Sequence, residues 1–102
     1  MTGGTLVITS RPPGGEGWDD LINLAGEDLD WGLLFYGDGV YGLRRGSPRV
    51  ESLAAWRGGI LAVDVDLEAR GGKDDFPPRV RTVTYGQIVE LLLAAGRVVS
   101  WA

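Results

Sequence analysis

The chain has 102 residues, 44% of them hydrophobic, and this length predicts one compact domain over residues 1–102. The net charge of −4 and the lack of a Lys/Arg block leave no electrostatic footprint for direct binding to nucleic-acid phosphates. The sequence has no cysteine and no histidine, which excludes thiolate nucleophiles, persulfide carriers, Cys/His zinc sites and imidazole general bases.

The chain also lacks a recognisable membrane or export signal. No apolar run approaches the length of a membrane span, and Met1-Thr2-Gly3-Gly4 has neither the basic flank nor the apolar core of a signal peptide. We therefore expect a cytoplasmic protein without membrane association, and the sequence indicates no cofactor.

The first elements are a strand and a helix. The β-branched run Thr5–Thr9 predicts the first strand, and the Pro/Gly-rich loop over residues 10–17 ends it. A first helix then ends near Gly26. Its apolar face has the spacing i, i+3, i+4, i+7: Trp18, Leu21, Ile22 and Ala25.

The most informative segment is the second strand and the turn that follows it. Residues 31–36 are apolar without alternation, which is typical of a strand buried on both faces in a parallel sheet. The turn Gly37-Asp38-Gly39 comes directly after this strand. Open α/β sheets bind ligands beyond the carboxyl ends of their strands, so function is expected at this turn first.

The middle of the chain predicts a second helix, a third strand and a short third helix. Ser47-Pro48 suits the start of a helix that runs to Gly58-Gly59, with an apolar stripe formed by Val50, Leu53 and Ala54. Residues 60–65 predict the third strand. Asp66 is expected to cap one or two helical turns over residues 67–70.

The last part begins with a loop and ends with a strand. Residues 73–78, with two aspartates and two prolines, predict an exposed, mobile loop, and residues 80–84 predict the fourth strand. Thr84 and Gln87 have the spacing of a capping box at the start of the last helix. The predicted buried face of that helix consists of Ile88, Leu91, Leu92 and Ala95. Residues 97–101 predict the fifth strand.

This alternation of strands and helices with short connections implies right-handed crossovers. It predicts an α/β fold, a three-layer α/β/α sandwich with a mainly parallel five-stranded sheet of flavodoxin-like type.

Several segments also match a known family in order and at compatible spacing. They are Thr5-Leu6, Ser10-Arg11-Pro12, the segment YGDGVY at 36–41, Glu51-Ser52-Leu53, the segment LAVDVDLEARG at 61–71, Tyr85 and the closing Val99-Ser100-Trp101. Together they resemble the DsrH/TusB family of sulfur-relay subunits over nearly the whole chain.

The resemblance implies a subunit of a DsrEFH-like complex, in which three related chains form a heterohexamer. The partners would be DsrE-like and DsrF-like (TusD/TusC-like) subunits, and the isolated chain would form homo-oligomers. In the TusB branch sulfur passes towards 2-thiouridine at the tRNA wobble position, and in the DsrH branch it enters sulfur oxidation.

One departure from the family pattern concerns the sulfur carrier. Some members have a cysteine near the first helix, whereas residues 14–26 of this chain contain none. This favours a non-catalytic, TusB-like supporting role in tRNA processing or sulfur oxidation, with sulfur held by a partner's cysteine. The resemblance places subunit contacts at the turn and the closing strand: Asp38, Gly39, Val40, Tyr41 and Trp101.

Two other classes of function remain open. One is a small homo-oligomeric interaction module without sulfur chemistry. The other is a Mg²⁺- or nucleotide-dependent enzyme that uses Asp38, Asp64 and Asp66. The segment GDGVYG at 37–42 formally matches a dinucleotide fingerprint, but no long helix follows it. The residues favour a plain turn in which Asp38 accepts backbone N–H bonds over a ligand-binding role.

Overall fold

In the computed structural model, which describes residues 4–72 and 74–102, five strands form one parallel sheet in the order β4-β3-β2-β1-β5. The strands are β1 Thr5–Thr9, β2 Trp31–Phe35, β3 Ile60–Val63, β4 Val80–Val83 and β5 Arg97–Ser100. The α/β class with a parallel five-stranded sheet is therefore confirmed. The strand order reverses between β1 and β5, whereas flavodoxin itself reverses between its first and third strands.

In the described residues, three α-helices and two 3₁₀ helices connect the strands. They are α1 Trp18–Ala25, a first 3₁₀ helix Gly37–Leu43, a second 3₁₀ helix Val50–Ala55, α2 Asp64–Ala69 and α3 Tyr85–Ala94. Among residues 4–72 and 74–102, none of the helices has the length and apolar character needed to cross a membrane.

The sheet separates two apolar layers of unequal size. On one face, α1 and the two 3₁₀ helices pack over the strands. The largest side chains in this layer that are less than 2% exposed are Trp56, Phe35, Leu33, Leu43 and Ile60. On the other face, Leu6, Leu34, Val63 and Val83 are covered by side chains of α3. All five residues of β2 are buried, as its unbroken apolar run predicts.

The predicted second helix is wrong in type and in its start. The segment is a 3₁₀ helix that begins at Val50, and Ser47 Oγ instead accepts a hydrogen bond from the Arg49 N–H at 3.2 Å. Val50, Leu53 and Trp56 are three residues apart and all pack on the larger apolar layer. This spacing of three matches the 3₁₀ repeat rather than the α-helical one.

The third strand is two residues shorter than predicted. It ends at Val63, where its pairing with β4 also ends, and Asp64 begins α2. Asp66 therefore lies inside the helix and does not cap it.

The capping box at the start of α3 is confirmed. Thr84 Oγ1 accepts from the Gln87 N–H at 3.1 Å, and Gln87 Oε1 accepts from the Thr84 N–H at 2.9 Å. The predicted burial of the helix is wrong in extent, since no residue of α3 is fully buried and Leu92 is exposed.

The segment before β4 also differs from its prediction as an exposed loop. Lys73 lies outside the described residues, but Phe76 is partly buried and packs against the larger apolar layer. The carbonyl of Asp75 also accepts from the Arg45 N–H at 3.1 Å, so an aromatic contact and a backbone hydrogen bond attach the segment to the rest of the fold.

Candidate functional site

The turn after β2 is shaped by its glycines. Gly37 has φ 54°, a left-handed conformation that side chains rarely adopt. A Cβ on Gly39 would lie 3.1 Å from the carbonyl oxygen of Thr9, and one on Gly42 would lie 2.5 Å from Cδ of Pro13. Because glycine has no side chain, Gly39 and Gly42 let the turn pack directly on the loop after β1. The formal dinucleotide fingerprint is explained by this internal contact, not by room for a phosphate.

Asp66 ties three elements together at the carboxyl edge of the sheet. Its Oδ2 accepts from the backbone N–H of Gly37 at 2.8 Å and from the hydroxyl of Tyr85 at 3.0 Å. Its Oδ1 lies 3.4 Å from Nη1 of Arg70, one helical turn later. The side chain is mostly shielded from solvent. Asp66 thus links the turn after β2 to α2 and to the start of α3.

Arg70 extends this network to the surface. Its Nε and Nη2 each donate to Oδ1 of Asp38 at 3.1 Å, and its guanidinium lies 5.7 Å from the centre of the Tyr41 ring. The hydrogen bond to Asp38 is the main cause that raises the pKa of Arg70, and the carboxylate charges of Asp38 and Asp66 act in the same direction. Arg70 is therefore a permanent cation that holds Asp38 and Tyr41 at the edge.

Tyr85 carries the second perturbed group of this network. Its hydrogen bond to the Asp66 carboxylate raises the pKa of the phenol above its ordinary value, because a phenolate there would lose the bond and face a negative charge. The hydroxyl therefore remains a donor throughout the neutral range.

The geometry does not fit the three-carboxylate metal site considered from the sequence. Arg70 contacts both Asp38 and Asp66, so a cation of the chain already neutralises part of their charge. Oδ1 of Asp64 accepts from the Val65 N–H at 2.7 Å at the start of its own helix. Within the part of the chain that the structure describes, no group of three or more His, Cys, Asp or Glu residues is placed to hold a metal ion.

Trp101 lies at the point where the strand order reverses, between β1 and β5. Its N–H donates to the carbonyl of Ile8 at 3.0 Å, and its carbonyl accepts from Thr9 Oγ1 at 2.7 Å. Its ring lies 5.5 Å from that of Trp18 on α1 and 4.1 Å from the guanidinium of Arg11. The chain thus fills with its own tryptophan the crevice where open α/β sheets commonly bind ligands.

The structure divides the five predicted contact residues into three environments. Asp38 and Tyr41 are exposed and meet through Arg70. Gly39 and Val40 are buried beneath them, and Trp101 is half-buried against α1.

Sequence reasoning missed the part that Arg70 and Tyr85 play in this network. The spacing of four residues between Asp66 and Arg70 was the available signal for the ion pair within α2. The contact between Tyr85 and Asp66 joins two separate elements, and no local pattern indicates it.

Comparison with known proteins gives the family. The family model described as DsrH like protein matches residues 16–98. The crystal structure of the ychN protein from E. coli matches with a TM-score of 0.72 and 22% sequence identity, and the match covers 99% of this chain and 100% of that one. No curated protein matches the sequence. The structural likeness shows a shared fold, and the family match, which spans most of the chain, shows that it belongs to the DsrH-like family.

Proposed function

We propose that the chain is a non-catalytic subunit of a DsrEFH/TusBCD-like sulfur-relay complex, in which a partner's cysteine carries the sulfur. The observation that carries the proposal is a DsrH-like match over residues 16–98 in a chain without cysteine. The proposed partners are DsrE-like and DsrF-like (TusD/TusC-like) chains in a heterohexamer. The sulfur they pass on would serve tRNA wobble-uridine thiolation or sulfur oxidation.

The available side chains favour a supporting role. Sulfur relay proceeds by attack of a thiolate on a persulfide or disulfide sulfur. This chain has only hydroxyls, carboxylates, one lysine and arginines among its reactive groups. Its contribution to a relay is therefore to bind and orient the subunit that holds the reactive sulfur.

The carboxyl edge supplies a suitable contact. Oδ1 of Asp38 is held by Arg70, whereas in the described residues Oδ2 accepts no hydrogen bond, and the side chain is 78% exposed. The half-exposed ring of Tyr41 lies beside it, and tyrosine is enriched among the residues that dominate binding energy at interfaces. Buried Gly39 and Val40 fix the backbone from which both side chains project.

The test is reconstitution with the related chains encoded in the same organism. The complex is loaded by a cysteine desulfurase, and mass spectrometry then locates the sulfur. We expect a persulfide on the cysteine-containing partner and an unmodified mass for this chain. We also expect faster transfer to the next acceptor when this chain is present.

Paired variants address the contact. Asp38→Ala combined with Tyr41→Ala is expected to weaken capture of the related chains at least tenfold. The control, Asp28→Ala combined with Leu29→Ala, removes a similar exposed pair just before β2, away from the carboxyl edge, and should leave capture unchanged. A persulfide adduct on this chain, or a relay that assembles and works equally well without it, would contradict the proposal.

A further inference from the structure

Helix α3 has exposed apolar residues in addition to those that pack on the sheet. Ile88 and Leu91, with Ala95 just beyond the helix, pack partly against the sheet. Four further apolar residues, at the spacing i, i+4, i+7, i+8, are exposed along one flank and the outer side of the helix: Tyr85, Val89, Leu92 and Leu93. Leu93 alone is 82% exposed. Exposed apolar residues beyond those that cover the sheet are typical of a helix with a second partner, so this pattern indicates a partner on the outer side.

A groove lies along the other flank of the helix, between α3 and strands β3 and β4. In the described residues α3 supplies the helical cover on its face of the sheet, and it leaves part of β3 and β4 open. The groove has a volume of about 350 Å³, and Leu61 and Leu91 line it together with Arg81 and Glu90. Glu90 in the groove lies one helical turn from Leu93 in the exposed stripe, so the two regions border each other across the outer side of α3. We call them together the α3 surface.

The size of this surface fits a modest interface. Its exposed apolar side chains offer on the order of 500 Å², at the upper end of the largest patch on an ordinary monomer. With a polar rim it approaches the roughly 800 Å² that each partner buries in a standard interface.

The charges on the α3 surface indicate what covers it. Arg81 and Glu90 line the same groove and have opposite signs, and within residues 4–72 and 74–102 neither forms an ion pair. A two-fold interface requires a surface that is complementary to itself. Two copies related by such an axis can place Arg81 of each copy opposite Glu90 of the other.

We propose that the α3 surface is a two-fold contact between two copies of this chain. The proposal goes beyond the sulfur-relay role, because it concerns a second copy and not the subunit that carries sulfur. It also assigns the copy–copy contact to a region outside the exposed Asp38 and Tyr41.

Sedimentation velocity of the purified chain, from low to high micromolar concentration, tests this. The wild-type chain is expected to form a dimer. Leu93→Lys should raise the dimer dissociation constant at least tenfold, and Val89→Lys should repeat the effect. The matched control is Leu24→Lys, which adds the same charge to an exposed leucine on α1 and should leave the dimer intact. Circular dichroism and melting temperature verify that each variant folds.

A charge exchange tests the two-fold pairing. Glu90→Arg alone and Arg81→Glu alone should each weaken the dimer, because like charges then meet across the axis. The double variant Arg81→Glu, Glu90→Arg should restore it. A wild-type chain that is monomeric throughout, an equal effect of Leu24→Lys, or a double variant as weak as the single ones would overturn the proposal.

Binding of the related chains, measured by pull-down with wild type and with Leu93→Lys, distinguishes the two-copy contact from the relay role. If Leu93→Lys is monomeric but still binds those chains, both proposals stand. If the wild-type chain is monomeric and Leu93→Lys loses those chains, the α3 surface belongs to them and the two-copy contact is overturned. A wild-type dimer that binds no related chain supports the contact and contradicts the relay role.

Discussion

The two faces of the sheet belong to the same five strands and differ in the helices that cover them. On one face, α1 and the two 3₁₀ helices bury Trp56, Phe35 and other large side chains almost completely. On the other face, α3 covers the strands with partly buried Ile88, Leu91 and Ala95 and leaves Val89, Leu93 and other apolar side chains exposed. Apolar content alone therefore does not define a core. The crowded face, beneath α1 and the two 3₁₀ helices, stabilises the fold, and the thinly covered face, beneath α3, is the one that we propose for association.

The largest expected effect comes from the crowded face. Trp56 is 1% exposed and donates its Nε1–H to the carbonyl of Gly59 at 3.1 Å. Trp56→Ala should therefore lower the free energy of unfolding by about 3–5 kcal/mol, measured by urea denaturation. The control on the other face, Leu93→Ala, should change it by less than about 0.5 kcal/mol. Equal losses at the two positions would remove the distinction between the faces.

Trp101 should stabilise the fold as Trp56 does, but with a smaller contribution to the free energy of unfolding. It is half-buried against Trp18 and Arg11. Trp101→Ala should lower the free energy of unfolding by about 2–3 kcal/mol, less than a fully buried tryptophan, and lower the melting temperature before it weakens association. Weaker association at an unchanged melting temperature would show instead that Trp101 is an interface anchor.

Asp66 should contribute through its hydrogen bonds to the carboxyl edge. Asp66→Ala leaves the Gly37 N–H, the Tyr85 hydroxyl and one contact of Arg70 without their acceptor. We expect a loss of about 1–3 kcal/mol in unfolding free energy, because a shielded donor is left unpaired. The exposed control Asp74→Ala should stay close to wild type. Matching values for both variants would show that the network does not stabilise the edge.

The smallest effect concerns the titration of Tyr85. Its pKa is raised in the folded chain by the hydrogen bond to Asp66. The stabilisation from this bond is fully present below the unfolded pKa of about 10 and is lost as the pH rises through the higher folded value. The tyrosinate absorbance of wild type minus Tyr85→Phe should therefore titrate above that of a free tyrosine. Asp66→Asn should lower the midpoint, and an unchanged midpoint would contradict the assignment.

The sequence predicted the parallel sheet and the capped last helix because their signals are local. An unbroken apolar run identified β2, and Thr84 with Gln87 identified the start of α3. The second 3₁₀ helix was missed because Val50, Leu53 and Ala54 also fit an α-helical stripe, and only the burial of Trp56 reveals a repeat of three.

The sequence predicted the position of the candidate site but not the contacts between its side chains. The turn at Asp38 was expected at the carboxyl edge, where it lies. Its link to Arg70 spans 32 residues and depends on strand order, which periodicity does not show. The apolar residues of α3 are evident in the sequence, but the sequence does not show which of them the sheet covers and which stay exposed.

Single introduced cysteines test the difference between the two faces most directly, since the chain has none of its own. Val89→Cys, Leu92→Cys and Leu93→Cys are oxidised one at a time at low micromolar concentration, with Leu24→Cys as the variant on α1. A disulfide forms readily only when the two Cα atoms are within about 7 Å. If two copies meet at the α3 surface, a covalent dimer is expected from at least one cysteine on α3 and none from the cysteine on α1. No dimer from any position on α3, or one formed equally well from α1, would contradict the two-copy contact.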